Sequence, residues 1–134
     1  MTYLEAKDQC ESDGAYLAIP RSDAENAFIA SLIPNDNIWI GVNDIDEEGT
    51  FAAVDGQEVT YTKWRDGEPN HYGGNEDGFL MVGGTNGMWA DKGIEHQEKF
   101  ICMSNIIFDY SGKFCLIPTN FNMNCILKIA YNYF

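Results

Sequence analysis

Apolar positions recur on a helical period in two places near the start of the chain. Tyr3, Ala6 and Cys10 follow one another at spacings of three and four, and Phe28, Ile29 and Leu32 form a second such face. Each run opens on a capping-box pattern, Thr2-x-x-Glu5 and Ser22-x-x-Glu25, in which a hydroxyl and a Glu satisfy each other's unpaired backbone donors. The pattern predicts one helix from Thr2 to about Asp13, stopped by Gly14, and another from Ser22 to about Leu32, ended by Pro34. Short apolar runs between Gly, Asp and Asn turns come next. Ile38–Val42, Glu58–Tyr61, Phe79–Val82, Met88–Ala90 and Phe100–Met103 are the predicted strands. Between Trp64 and Met88 lie seven of the 13 glycines, with Pro69, Asn70, Asn75 and Asn86. A loop of that length inside a compact domain points to function. Helices first and short strands afterwards predict an α+β fold without internal repeats.

Composition narrows the function. The 134 residues suffice for one domain with its own core. No run approaches the roughly 20 apolar residues that span a bilayer. A net charge of −13 argues against nucleic acid and against an anionic membrane surface. Such acidity is either a solubilising surface or a set of carboxylates that converge on a cation. The first residues carry neither the basic nor the apolar region of a secretory leader. Cysteines at 10, 102, 115 and 125 allow three pairings, and their spacing is too wide for a zinc knuckle.

Composition shifts near residue 105. Of the 21 acids only Asp109 lies beyond it, and 19 of the last 30 residues are Asn, Ile, Phe, Tyr or Lys. These residues have A/T-rich codons, which fits either read-through of non-coding sequence or a genuine appended segment. Residues 105–134 therefore read as a C-terminal extension, expected to be disordered or to pair as an edge strand through the run Cys125–Tyr131.

The candidate chemistry sits in the long loop and just after it. Glu68, Asn70, Glu76, Asp77 and Asp91 are hard oxygen donors with no Cys or His among them, which suits calcium. No EF-hand pattern is present, so such a site must be assembled from separate segments. A cis bond in Glu68-Pro69 would aim the side chains of Glu68 and Asn70 at one point; the plain alternative is a polar surface loop with a proline.

Taken in order, nine stretches resemble the C-type lectin-like domain family. They are Tyr3-x-x-Ala6-x-x-x-Cys10, Gly14-Ala15-Tyr16-Leu17-Ala18-Ile19-Pro20, Glu25 before Phe28, Trp39-Ile40-Gly41-Val42, and Glu48-Gly49-Thr50-Phe51. Trp64-x-x-Gly67-Glu68-Pro69-Asn70, Glu76-Asp77, Trp89-Ala90-Asp91 and Phe100-Ile101-Cys102 complete the series. The resemblance covers residues 1–104 as one carbohydrate-recognition domain and implies a double-loop α+β fold of two helices and a small antiparallel sheet. It implies a Cys10–Cys102 disulfide, worth about 4–5 kcal/mol on the chain-entropy model, and with it an extracellular, oxidising setting.

Within the family, Glu-Pro-Asn looks like the signature for mannose, glucose, fucose and related sugars held by a bound Ca2+. Position by position, Glu68, Asn70, Glu76 and Asp91 take the roles that contact both calcium and sugar, and Asp44, Glu48, Glu76 and Asp77 those of a second, auxiliary calcium. The implied partners are glycans or glycoproteins with terminal mannose-type sugars. Weak binding per site implies oligomers that gain by avidity, and an innate-recognition role is typical of such domains.

The sequence departs from the family pattern at several positions. The Asn of the family's Trp-Asn-Asp is Ala90, for which a water or Asn86 would have to substitute. The acid that follows Glu-Pro-Asn is His71, and the inner cysteine pair is Gly78 and about Ile94. The strand that precedes the first helix in the family is missing, which leaves an edge of Phe100–Met103 open and favours truncation over a tail strand in its place. Trp39, Trp64 and Trp89 read as packing residues rather than sugar platforms, and His71 and His96 as surface residues. An enzyme is disfavoured: no nucleophile elbow or P-loop is present, and Glu68 with Glu76, a carboxylate pair of the kind glycosidases use, would be tied down as ligands. The rival from within the fold is a lectin-like domain that has lost sugar and calcium and binds a protein or other surface.

Overall fold

The computed structural model describes residues 1–103 and, beyond them, the backbone of 106–108, 114–116 and 130–132. Helix α1 spans Tyr3–Ser12 behind the Thr2 cap, and both halves of the capping box form: Glu5 N donates to Thr2 Oγ1 and Thr2 N to Glu5 Oε2 at 2.9 Å. Helix α2 spans Asp23–Leu32. Its Ser22 cap receives Glu25 N at 3.1 Å, but the Glu25 carboxylate reaches one residue further back than predicted, accepting from Arg21 N at 2.7 Å.

The strands are β1 (Tyr16–Leu17), β2 (Ile38–Asn43), β3 (Ala52–Ala53), β4 (Gly78–Met81), β5 (Trp89–Lys92) and β6 (Lys99–Met103), followed by β7 (Ile106–Phe108), β8 (Phe114–Leu116) and β9 (Ala130–Asn132). The main sheet runs β1-β6-β2-β4-β5, with β3 on β2 and β9 on β6. Only β2 and β6 pair in parallel among its described ladders.

Both faces of this sheet are buried, which explains the unbroken apolar run at Ile38–Val42. Strand alternation divides it. Ile38, Ile40, Val42, Phe79, Met81, Trp89 and Ile101 face α2, whose Ile29 joins them, as does Ile33 just past its end. Trp39, Leu80, Ala90, Phe100 and Cys102 face α1, where Tyr3, Ala6 and Cys10 meet them. The predicted helical stripe of α1 is thus its buried face, and Cys10 bonds Cys102 across 92 positions. Phe28 and Leu32 are only partly buried beside Ile29.

Two predictions for the strands are corrected. Glu58–Tyr61 forms no ladder: Val59 and Tyr61 alternate because they pack a loop segment on the core, and the Tyr61 hydroxyl donates to Asp23 at 2.8 Å. The two-residue strands β1 and β3 escaped the pattern. The Phe100–Met103 edge, expected to be open, is paired by β9 of the tail, with Phe100, Ile101 and Cys102 opposite Asn132, Tyr131 and Ala130. The rest of the tail, and the pairing of Cys115 with Cys125, lie outside the described residues.

Candidate functional site

The long loop folds back over the α2 face of the sheet. Its base is held by aromatic rings: Trp64 packs edge-on against Phe79 at 4.7 Å and Trp89 at 5.8 Å, Phe51 against Trp64 and Phe79, and Tyr61 against Trp89. Trp39 and Trp89 are fully buried and Trp64 half-buried, so the tryptophans are packing residues, as expected. Backbone bonds from Trp89 N to Lys63 O and from Arg65 N to Trp89 O lay residues 63–65 along β5. Glu68 follows three residues later, and its bond to Pro69 is cis.

Four side chains meet at the loop tip. Asn70 Nδ2 donates to Glu68 Oε1 at 3.1 Å, and Asn70 Oδ1 and Glu76 Oε2 accept from the same Tyr72 N–H at 3.0 and 2.9 Å. Asp91, delivered by β5, accepts from Asn70 N at 3.1 Å and from His71 N at 2.7 Å. Glu68, Asn70, Glu76 and Asp91, drawn from two separate stretches of chain, thus form one group.

Its negative charge is only partly compensated. Glu68 Oε2 is buried without a hydrogen-bond partner, and the Glu68 side chain is only 8 % exposed. Burial, and then the Asp91 carboxylate beside it, push the Glu68 carboxyl above the ordinary range. Burial opposes ionisation of Asp91 too, but the Glu68 contact and the backbone N–H groups of Asn70 and His71 outweigh it and hold Asp91 low. Arg65, 3.5 Å from Glu68 Oε1, was not foreseen from the sequence and offsets part of this charge.

A second group adjoins the first. Asp44 follows β2 and is 4 % exposed. Its Oδ2 accepts from Gly49 N at 2.9 Å, while Oδ1 has no partner. Glu48 and Asp77 flank it, and burial raises the carboxyls of Asp44 and Glu48, with their neighbouring carboxylates adding to the effect. The imidazole of His71 sits among them: Nδ1 lies 2.9 Å from Glu48 Oε2 and 3.9 Å from Asp77 Oδ1, a charge contact rather than a directed hydrogen bond. The His71 side chain is partly exposed although its Nδ1 is buried, and His96 is half-exposed. Glu76, expected in both groups, makes its described contact with the first.

Two family positions acquire a structural account. Ala90 is buried against the α1 face in the Tyr3–Trp39 cluster, and Asn86 is exposed in the β4–β5 turn. A Cβ at Gly78 would meet Trp39, Tyr3 and Ile94 at 3.0–3.2 Å, so residues 78 and 94 face each other, as expected of the family's lost cysteine pair.

The donor set fits a hard cation. In the first group it consists of carboxylate and amide oxygens, with Glu68 Oε2 buried and partnerless beside the Asp91 carboxylate.

Residues 1–104 match the family model described as "Lectin C-type domain". The chain is 36 % identical over 94 residues to Lectin BRA-3 of Megabalanus rosa, covering 70 % of this chain and 58 % of that protein, and so spans little more than half its length. Among solved structures, C-type lectin CEL-I of Cucumaria echinata superposes with a TM-score of 0.73 at 29 % identity, over 76 % of this chain and 81 % of that one. An "EPNH mutant" of CEL-I matches at 31 % identity with a TM-score of 0.72, over the same shares, and those four letters are the residues at 68–71 here. A calcium-independent type II antifreeze protein also matches, at 25 % identity and a TM-score of 0.71, over 76 % of this chain and 77 % of that one. With the family pattern matched over most of its length and the same architecture in its fold, the chain belongs to the C-type lectin domain family.

Proposed function

We propose that this domain is a lectin that binds mannose-type sugars through a calcium ion held by Glu68, Asn70, Glu76 and Asp91. The observation that carries the reading is the convergence of these four side chains, with Glu68 Oε2 buried and partnerless. When bound, the ion supplies direct coordination to a pair of vicinal sugar hydroxyls. The protein's part is orientation. Asp91 fixes the loop tip through two backbone N–H groups, and Glu68 and Asn70 offer the acceptor and donor that flank each hydroxyl. The ion exchanges the internal contacts of the cluster for coordination bonds and removes the like-charge cost between Glu68 and Asp91.

Affinity per site is low on this reading. Ala90 contributes no amide, and a missing charge-assisted contact costs about 1.5–3 kcal/mol, roughly ten- to a hundredfold. Display on an oligomer offsets that loss. The Cys10–Cys102 disulfide suits an extracellular setting.

The test is a calcium titration of the full chain by calorimetry, followed by mannose competition for an immobilised mannosylated protein. Saturable calcium uptake that is lost in the Glu68→Gln/Asn70→Asp double variant, with calcium-dependent competition by mannose, is expected. A folded chain that takes up no calcium at millimolar concentration overturns the reading. It would favour a calcium-independent surface-binding domain, the reading that the buried Ala90 and the antifreeze protein neighbour support.

A further inference from the structure

We propose that Glu48, His71 and Asp77, beside the buried carboxylate of Asp44, form a site for a zinc-class transition-metal ion at the place where the family resemblance implies a second calcium. The inference does not depend on sugar binding.

The donor set differs in kind from a calcium cage. Calcium takes six to eight hard oxygens, whereas an imidazole nitrogen beside two or three carboxylates suits zinc, nickel or copper. His71 brings that nitrogen. Its Nδ1 and one carboxylate oxygen each from Glu48 and Asp77 lie within 4.8 Å of one another. In a tetrahedral zinc site with bonds of about 2.0–2.1 Å, ligand atoms stand about 3.3 Å apart. The observed separations of 2.9 Å to Glu48 and 3.9 Å to Asp77 bracket that value, so small side-chain adjustments suffice.

Asp44 is the independent pointer. It is almost wholly buried, its backbone N bonds Asp77 O at 3.1 Å, and Oδ2 is occupied by Gly49 N; Oδ1 is left without a hydrogen-bond partner, in a carboxylate that interacts with Glu48, His71 and Asp77. A buried, unpartnered carboxylate oxygen costs free energy unless something meets it. A cation drawn in by three carboxylates does. Access exists because the imidazole and Glu48 are part-exposed.

The backbone at His71 also favours a clean test. It sits at φ 47, in the left-handed region that Asn and Asp tolerate best among residues other than Gly. His71→Asn therefore removes the nitrogen with little strain, and His71→Asp restores the acid of the family pattern.

The experiment is calorimetric titration of the full chain with Zn2+ in calcium-saturated buffer, with Co2+ as a coloured surrogate and circular dichroism as a check on folding. Uptake of one Zn2+ per chain is expected, with a Co2+ visible absorption band of low-symmetry, four-coordinate type. His71→Asn and Glu48→Gln weaken binding at least about tenfold, and His71→Asp exchanges zinc preference for a second calcium equivalent. His96→Gln, at the other histidine of the chain, leaves uptake unchanged. Two results overturn the proposal: no zinc uptake by the folded wild-type chain, or uptake that survives His71→Asn and so belongs to other groups such as the tail cysteines.

Discussion

Asn26 is the buried residue on which the site's scaffold turns, and its removal gives a sharp prediction. It is 0 % exposed in the middle of α2. Its Oδ1 accepts from Trp89 Nε1 at 2.8 Å and its Nδ2 donates to Gly87 O at 2.9 Å. Trp89 is also fully buried, so neither of these groups reaches bulk water. Replacing Asn26 by Ala leaves a donor and an acceptor unmatched, each at about 1–3 kcal/mol. The expected loss is therefore about 3–4 kcal/mol, a large part of the 5–15 kcal/mol that holds a typical domain together. Asn26→Leu discriminates the cause. It refills the volume but satisfies neither group, so it costs as much as Ala if hydrogen bonding is responsible, and much less if packing is. The assay is urea unfolding at 25 °C with the slope compared between variants, since an unchanged slope assigns the difference to stability alone. A loss below 1 kcal/mol in both variants refutes the reasoning, and full rescue by Leu refutes the hydrogen-bond account of it.

The remaining predictions concern the covalent links and the carboxylates. Replacing Cys10 and Cys102 together by Ala opens a loop of 92 positions and costs about 4–5 kcal/mol, read as a lowered denaturation midpoint; a change under 1 kcal/mol would refute it. Gly78→Cys alone destabilises, because its Cβ meets Trp39, Tyr3 and Ile94 at 3.0–3.2 Å. Paired with Ile94→Cys it forms a disulfide worth up to about 3 kcal/mol for a loop of that length, seen as loss of free thiol in unfolded protein. A third prediction concerns pH in chelator. Glu68, Asp44 and Glu48 have carboxyls raised in the folded state, so their stabilising effect is present at low pH and is lost as pH rises through the folded values. Asp91, held low, acts in the opposite sense. Calcium binds the deprotonated forms, so the gain in melting temperature on adding calcium grows from about pH 4.5 to 7. A gain that is flat across that range, or that persists in Glu68→Gln, refutes the assignment.

The parts of this fold that were legible in the sequence are those specified locally. Thr2 and Ser22 announce α1 and α2 because a cap is satisfied within one turn. The apolar run Ile38–Val42 announces β2 because both faces of that strand are buried. Glu58–Tyr61 misled for a physical reason: a period of two also arises when a loop lays every second side chain on a core, and Val59 and Tyr61 do this without a ladder. Strands β1 and β3 have two residues each and no pattern of their own. Their presence depends on partners, and Gly41 admits β1 because a Cβ there would lie 2.5 Å from Leu17 O. The same contrast holds at the site. Glu68, Asn70 and Glu76 were readable because they are close in sequence and of one chemical type. His71 was not, because its meaning depends on Glu48, which arrives from 23 positions upstream. Nor was Asn26, whose side chain reads as solvated until Trp89 and Gly87 are folded against it.

Why the loop holds its shape without the family's inner disulfide is a question of magnitudes. The link that would join residues 78 and 94 is worth up to about 3 kcal/mol. Edge-to-face ring pairs contribute about 0.5–1.5 kcal/mol each beyond their burial. The set formed by Phe51, Tyr61, Trp64, Phe79 and Trp89 matches or exceeds that link before any burial is counted. Those rings fix the base of the loop only. Beyond Arg65 the described contacts of the tip are polar, made among Glu68, Asn70, Tyr72, Glu76 and Asp91, with the buried Glu68 Oε2 left unmatched. Apolar packing therefore stabilises the scaffold, and a cation is what the tip lacks. It follows that chelator should loosen residues 68–77 while leaving the ring cluster intact. Hydrogen exchange resolves the two regions: faster exchange confined to the tip amides supports this division, and equal acceleration at Trp64 and Trp89 overturns it.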